Sequence, residues 1–490
     1  MRLLIYWFCM VILFCSCASS KNWSPDKKYA PDKLKKDFRV FRNVLEEVHP
    51  SLYWFTPKDS IDYYFDLTES RLTDSMTERE FRNHLNFMTN KFRCGHTSTF
   101  FSPKYTKYLQ KAKIKSFPLS LKVWKDTAVA TASLLKENKG ITRGSQIVSI
   151  NNIPVPQMID SFLQHTNIDG YAQQGQYQYL SNRGNFGIMF KNLYGLTDSI
   201  DFGFIDLQGN YATAKLPAFL PVEDTLNKKD SIKPERPERR ERLLDPEKSL
   251  QIDTTLRSAY MTLNSFSRNE GLTRFFRKSF RMINKLDLDH LVIDLRSNGG
   301  GDAGLSTLLT RYVIDKPFHV ADSLYAKKLS SRNRKYIQHQ WAYWLFTRIV
   351  TRKRADGNYH FGFYERHKFK PKKKYHFKKN IFILTGGNSF SASTLFAQKL
   401  KGQSNVTIVG EETGGGAYGN TAWMIPTVKL PETGVRFRLP KFRLVMDSSL
   451  VKEGRGVMPD VYAAPSVMDI RYGRDVKLGA VRELIESGRE

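Results

Sequence analysis

The sequence predicts a multidomain α/β protein whose largest domain is built on a mixed, mainly parallel sheet. Three observations carry this. At 490 residues the chain exceeds what one small hydrophobic core organises. From about residue 256 onward, apolar strand-like runs alternate with amphipathic helical runs, the pattern of parallel strands joined by helices. Between 223 and 250 a charged, proline-bearing stretch almost free of apolar residues sets this half apart from the one before it.

The first residues read as an export signal. Arg2 is a minimal charged region, and Leu3 to Phe14 has the length of a signal core, too short to span a bilayer. In Phe14-Cys15-Ser16-Cys17-Ala18-Ser19-Ser20 a small residue directly precedes a cysteine. This resembles a bacterial lipobox with Cys17 as the lipidated first residue of the mature chain; an ordinary signal peptide that contains cysteines is the alternative. Either way the mature protein is expected to leave the cytosol; in the first case it is a lipid-anchored protein of the cell envelope, facing the periplasm or the cell exterior. Only Cys94 then remains in the folded part, so no internal disulfide is expected. No Cys/His grouping has metal-ligand spacing, and neither metal nor cofactor is expected.

Residues 18–112 read as helical. Asp32 to Val48 carries Leu34, Phe38, Phe41, Val44, Leu45 and Val48 on one stripe and ends at His49-Pro50. Thr77 with Glu80 makes a capping box for a second helix, and His96 follows it. Residues 113–222 are β-rich. Phe117 to Trp124 alternates like a strand. Gly144 to Val155 reads as turn, strand, Asn151-Asn152 turn and short strand, with a helix after Pro156. This run resembles a PDZ domain, although the carboxylate-binding glycine loop of such domains is not evident before Leu119.

After the 223–250 linker, strands are predicted at Ala259–Phe266, His290–Leu295, Asn380–Thr385 and Val406–Gly410. Helices are predicted at Gly271–Leu286, Ala303–Tyr312 and Ala392–Leu400. This 251–470 domain is interrupted by an insertion at 316–379, and 471–490 forms a terminal helix or tail.

The net charge of +29 is concentrated in that insertion, where eighteen Lys or Arg face three acids. Such a surface attracts nucleic acid, anionic lipid or acidic polymers. The export signal argues against nucleic acid, and Trp341, Trp344 and Phe346 suggest that part of the insertion packs.

Four short stretches carry chemistry. Ser391 lies where the strand Ile381–Leu384 passes through Gly386-Gly387-Asn388 into a helix, so its hydroxyl meets the amide field of a helix start. An N-cap serine reads the same way, and Ser389 and Ser393 are rivals. Gly299, Gly300 and Gly301 follow the buried strand Val292–Leu295 and allow backbone amides to approach a substrate. Cys94-Gly95-His96-Thr97 offers an imidazole, and Glu453 precedes Gly456-Val457-Met458-Pro459-Asp460.

The succession Asp294–Gly301, Asn388–Ala397, Gly410-Glu411-Glu412-Thr413-Gly414-Gly415 and Gly456–Asp460 resembles the tail-specific, carboxyl-terminal-processing serine peptidases, which include the tricorn core proteases. The resemblance implies a crotonase/ClpP-like core behind a PDZ-like module. It implies Ser391 as nucleophile and Gly300, Gly299 and Ala392 as oxyanion donors. Tail-specific members place a catalytic lysine after the Gly-Glu-x-Thr turn. Here Gly414, Gly415 and Gly416 stand there, and a glycine cannot take a proton. The tricorn-like branch uses a histidine oriented by a distant glutamate, which maps onto His96 and Glu453. That branch has a serine before the histidine; Gly95 stands here, leaving Thr97 or a water to substitute. Lys401 and Lys452 are the other bases nearby.

The expected function is an exported serine-type peptidase acting on envelope or periplasmic polypeptides through a Ser391–His96–Glu453 acyl-enzyme mechanism. A catalytically inactive peptide- or ligand-binding lipoprotein of the same fold is the alternative, and a basic scaffold for anionic polymers is compatible with either. The oligomeric state is not legible.

Overall fold

The computed structural model describes residues 23–221, 244–245, 247–451 and 453–488. The leader, Cys17, Lys452 and most of the 223–250 linker lie outside them. The protein is mixed α/β, with a central sheet, several smaller sheets and helices around them.

The central sheet has seven strands in the order Leu244–Asp245, Lys248–Asp253, Ser258–Leu263, His290–Asp294, Asn380–Thr385, Val406–Gly410 and Val461–Tyr462. The first two pairings are antiparallel and the other four parallel. The middle strands are apolar on both faces because both faces are covered. Helices Leu272–Lys285 and Ala303–Val313 pack Phe276, Phe280, Leu309 and Val313 against one face. Helix Val476–Ser487 packs Val481 and Ile485 against the other. Such continuous apolar runs are what a parallel sheet requires.

The amino-terminal helices run Pro31–Val48, Lys58–Ser70 and Glu78–Lys91. Thr77 and Glu80 form the expected capping box, with Thr77 N donating to Glu80 Oε2 at 2.8 Å. The core of these helices is not theirs alone. Val428, Leu430, Val435, Phe437 and Leu439, from far downstream, are buried in it. The Phe437 ring meets Phe41 edge-on at 4.9 Å. Strand Thr99–Phe100 pairs with Arg436–Arg438. This exchange carries the segment after His96 onto the body of the 251–470 region.

Residues 119–217 form an antiparallel sheet in the order Leu119–Val123, Ala128–Ser133, Gln146–Ile150, Ser199–Ile205 and Tyr211–Pro217, with Ile153–Pro154 paired beside Gln146–Ile150. Asn151 and Asn152 turn the chain with φ of 49° and 64°, the left-handed pair of a tight hairpin. Helices Val155–Leu163 and Asn185–Leu193 close its core, with Phe162, Phe186 and Phe190 against Phe117 and Phe202.

The basic 316–379 stretch is woven in. Its strands Ser323–Ala326, Arg352–Lys353 and Tyr359–His360 join a five-stranded sheet with Phe442–Val445 and Gly419–Ala422. The aromatic residues expected to pack do not. Helix Gln340–Val350 leaves Trp341 74%, Phe346 47% and Trp344 41% exposed. Its buried face is instead polar: Gln340 Nε2 donates to Leu329 O and Thr347 Oγ1 to Tyr343 O. Among the described residues no helix is long and apolar enough to cross a membrane, and no His, Cys, Asp or Glu group has the makings of a metal site.

Candidate active site

Ser391 sits at the end of strand Asn380–Thr385, just before helix Ala392–Leu400. Its backbone adopts φ 55° and ψ −114°, a conformation that a residue with a Cβ rarely takes. Its side chain does not cap the helix. The strain lifts the hydroxyl off the helix end and turns it toward the imidazole. The rival serines are spent or sealed. Ser389 is fully buried and donates to Leu295 O at 2.8 Å. Ser393 is also fully buried.

His96 Nε2 lies 3.1 Å from Ser391 Oγ, across 295 positions of sequence. Two things hold the ring. Phe390, the residue before Ser391, lies over it with ring centroids 4.7 Å apart. The backbone on both sides is anchored: Gly95 N donates to Asp169 Oδ1 at 3.4 Å, and Arg438 N donates to Ser98 O at 2.9 Å. Burial holds the imidazole down at about 4, with the positive charge of Arg438 adding to the effect. At neutral pH the ring is therefore uncharged and able to accept the serine hydrogen.

Gly95 stands where the resemblance has a serine, and the geometry explains it. A Cβ there would lie 2.6 Å from Phe390 Cζ. Thr97 does not substitute. It faces away from His96, its Oγ1 lying 3.2 Å from Cys94 Sγ and 2.9 Å from His49 Nε2.

Glu453 is not brought to His96. It is exposed, and its amide closes a turn onto Leu450 O. His96 Nδ1 is buried without a hydrogen-bond partner among the described residues. The expected orienting contact is thus corrected: packing and backbone anchoring place this ring. The physical reason lies next door, where Gly454 O accepts from Tyr171 N at 2.6 Å and holds the turn against the 119–217 region.

The expected oxyanion donors divide. Gly300 N is committed to Asn298 Oδ1 at 2.9 Å, which corrects its assignment as first donor. Gly300 serves by its smallness. With φ +99°, a Cβ there would lie 2.7 Å from Phe390 O and 3.0 Å from Ala392 N. Gly299 is exposed, and Ala392 N opens the helix, where an amide has no partner within it. Among the described residues neither of these two amides has a hydrogen-bond partner.

The missing lysine also has a steric account. Cβ atoms at Gly414, Gly415 and Gly416 would lie 2.1 Å from Gly387 O, 2.5 Å from Thr394 Oγ1 and 2.4 Å from the Tyr418 ring. Lys401 pairs with Asp460 and is not at the site. Asp460 also accepts from Ile408 N in strand Val406–Gly410, and Asp294 accepts from Arg296 N in the turn after its own strand.

Sequence reading missed Asp169, Phe390 and Arg438. Asp169 is fully buried, and its Oδ2 accepts from Gly416 N at 3.0 Å. It ties the turn of His96 to the glycine run behind Ser391. Burial raises its carboxyl to about 6, against the Gly416 amide. Nothing local in Asn167-Ile168-Asp169-Gly170 marks it. The cleft has two lobes that meet at Gly95, Gly299 and Phe390. One of about 440 Å³ includes Asn167, Tyr179 and Met189. The other, of about 480 Å³, includes His96, Ser391, Arg268, Trp423 and Arg438.

A strained serine at a helix start, beside a neutral imidazole and free backbone amides at a sheet's carboxyl edge, defines a serine hydrolase architecture. Residues 257–463 match the model of peptidase family S41, and the match supports a serine-type peptidase. The fold is similar to that of mature CPAF complexed with lactacystin, at 14% identity and TM-score 0.65, over 93% of this chain and 98% of that one. Mature CPAF alone aligns at 13% identity and TM-score 0.64, over 93% and 96%. The tricorn protease aligns at 15% identity and TM-score 0.43, over 94% of this chain and 37% of that one. No curated protein matches the chain.

Proposed function

We propose that Ser391 is the nucleophile of a peptide-bond hydrolase and His96 its general base. The observation that carries this is the 3.1 Å contact between His96 Nε2 and Ser391 Oγ. His96 takes the hydroxyl proton as Oγ attacks the scissile carbonyl. The carbonyl oxygen becomes an oxyanion, held by the amides of Gly299 and Ala392. The imidazolium then protonates the leaving amine, and water completes the cycle from the acyl-enzyme. Among the described residues no lysine bonds to Ser391 or His96.

Labelling with a fluorophosphonate probe tests the roles. Wild type labels, Ser391→Ala does not, and His96→Ala labels at least about a thousandfold more slowly. A wild-type chain that does not label would favour the non-catalytic binding protein of the same fold.

We further read the protein as an exported lipoprotein, acylated at Cys17, that acts on envelope polypeptides, with residues 113–222 as a PDZ-like module. Support comes from the apolar leader before Ser16-Cys17 and from the antiparallel strands of 119–217. Metabolic labelling with a radioactive fatty acid tests the anchor. Incorporation that persists in Cys17→Ser would contradict it.

A further inference from the structure

We propose that helix Gln340–Val350 is a membrane-docking element that inserts its outer face into an anionic lipid surface. The helix is amphipathic the wrong way round for a soluble protein. Trp341, Trp344, Leu345, Arg348 and Ile349 fall at i, i+3, i+4, i+7 and i+8, one face of the helix, and all five are exposed. Trp341 is 74% and Ile349 63% exposed, while the residues turned inward are Gln340 and Thr347. Gln340 Nε2 donates to Leu329 O at the start of the helix, and Thr347 Oγ1 donates to Tyr343 O within it. An exposed face of two tryptophans, a leucine and an isoleucine needs an apolar environment.

Charge selects the occupant. From Lys327 to Ala355 the chain has nine Lys or Arg and no Asp or Glu. Arg332 and Arg354 face Glu47 and Glu365. Among the described residues Arg334, Lys335, Arg348, Arg352 and Lys353 are exposed and form no ion pair. Apolar aromatic residues rimmed by unpaired cations match the boundary between acyl chains and anionic headgroups. Self-association through this face would set two such cationic rims against each other. A nucleic acid would leave the tryptophan and isoleucine side chains in water or against phosphates.

Docking would also orient the cleft. The segment entering the helix is stitched to strand Thr427–Lys429 by Gln338 N donating to Thr427 O at 2.8 Å. Four and three residues upstream, Trp423 and Met424 line the lobe that holds Ser391.

The test is co-sedimentation of the full chain with large vesicles of phosphatidylcholine, with and without phosphatidylglycerol, at low and high salt. All variants keep the same amino terminus, so any contribution from the leader is common to them. Wild type is expected to partition onto the phosphatidylglycerol vesicles, with salt weakening it. Combined Trp341→Ser, Trp344→Ser and Ile349→Ser should partition about tenfold or more weakly, as should combined Arg348→Glu, Arg352→Glu and Lys353→Glu. Both variants should keep wild-type circular dichroism, since the altered side chains are exposed. Equal partitioning of wild type and both variants would overturn the proposal. So would equal binding to neutral and anionic vesicles. A dimer that the serine variant dissociates, without vesicle binding by wild type, would assign the face to a second copy.

Discussion

At His96 two physical demands compete. The ring must be dry enough for its contact with Ser391 to form, yet basic enough to take a proton. Burial wins in the resting protein and holds it at about 4. If His96 is the base, the acid limb of kcat/KM should fall well below the pH 6.5 of a free imidazole, because the catalytic neutral form persists until the folded-state value is reached. A pH profile with its acid limb at 6.5 would show that the ring titrates as if exposed. Gly95 is the steric key to the arrangement. Gly95→Ala should push Phe390 aside, loosen His96 and lower kcat/KM by about ten- to a hundredfold, since misplacement of about 1 Å is enough. The unfolding midpoint should change little by comparison, because the displaced ring borders an open cleft. Wild-type turnover in that variant would remove Phe390 from the positioning of the base.

At the scale of elements, the sequence was most informative where periodicity and caps were local. The strand Asn380–Thr385 and the helix Ala392–Leu400 coincide with the boundaries read from the sequence, and so does the capping box of Thr77 and Glu80. What was not legible depends on contacts far apart in sequence. No local pattern showed that Asp169 would join Gly95 to Gly416, or that Glu453 would turn outward. Trp341, Trp344 and Phe346 misled because large aromatic side chains were assumed to pack, and all three are exposed. Another such contact fastens the terminal helix. Lys477 Nζ donates to Glu411 Oε2 at 2.7 Å and to Thr385 O at 2.9 Å, all buried at the edge of the central sheet. Burial lowers the Lys477 ammonium from its usual range, against the pull of Glu411. Lys477→Met removes the ion-pair partner of buried Glu411, which keeps its hydrogen bond from Gln174 Nε2, and should cost about 3–5 kcal/mol in urea unfolding. Adding Glu411→Leu should recover much of that loss. Additive losses in the two single variants would mean that the ions do not depend on each other.

For the whole molecule, the site exists only while two cores stay docked. Ser391 belongs to the central sheet, and His96 follows the amino-terminal helices. Besides Asp169, a link between them is the segment 427–439, which buries Phe437 against Phe41 and pairs Arg436–Arg438 with Thr99–Phe100. Phe437→Ala removes a fully buried ring from this junction and should cost about 3–5 kcal/mol. The cost falls on docking more than on the sheet, because no strand of the sheet contributes to that cluster. In the variant, fluorophosphonate labelling of Ser391 should therefore fail at a lower denaturant concentration than wild type. Amides of Asn380–Thr385 should keep their hydrogen-exchange protection beyond that point. If labelling and protection were instead lost together, at a midpoint shifted equally for both, the two cores would form one cooperative unit. The distance from base to nucleophile would then be set by the stability of the whole fold and not by one interface.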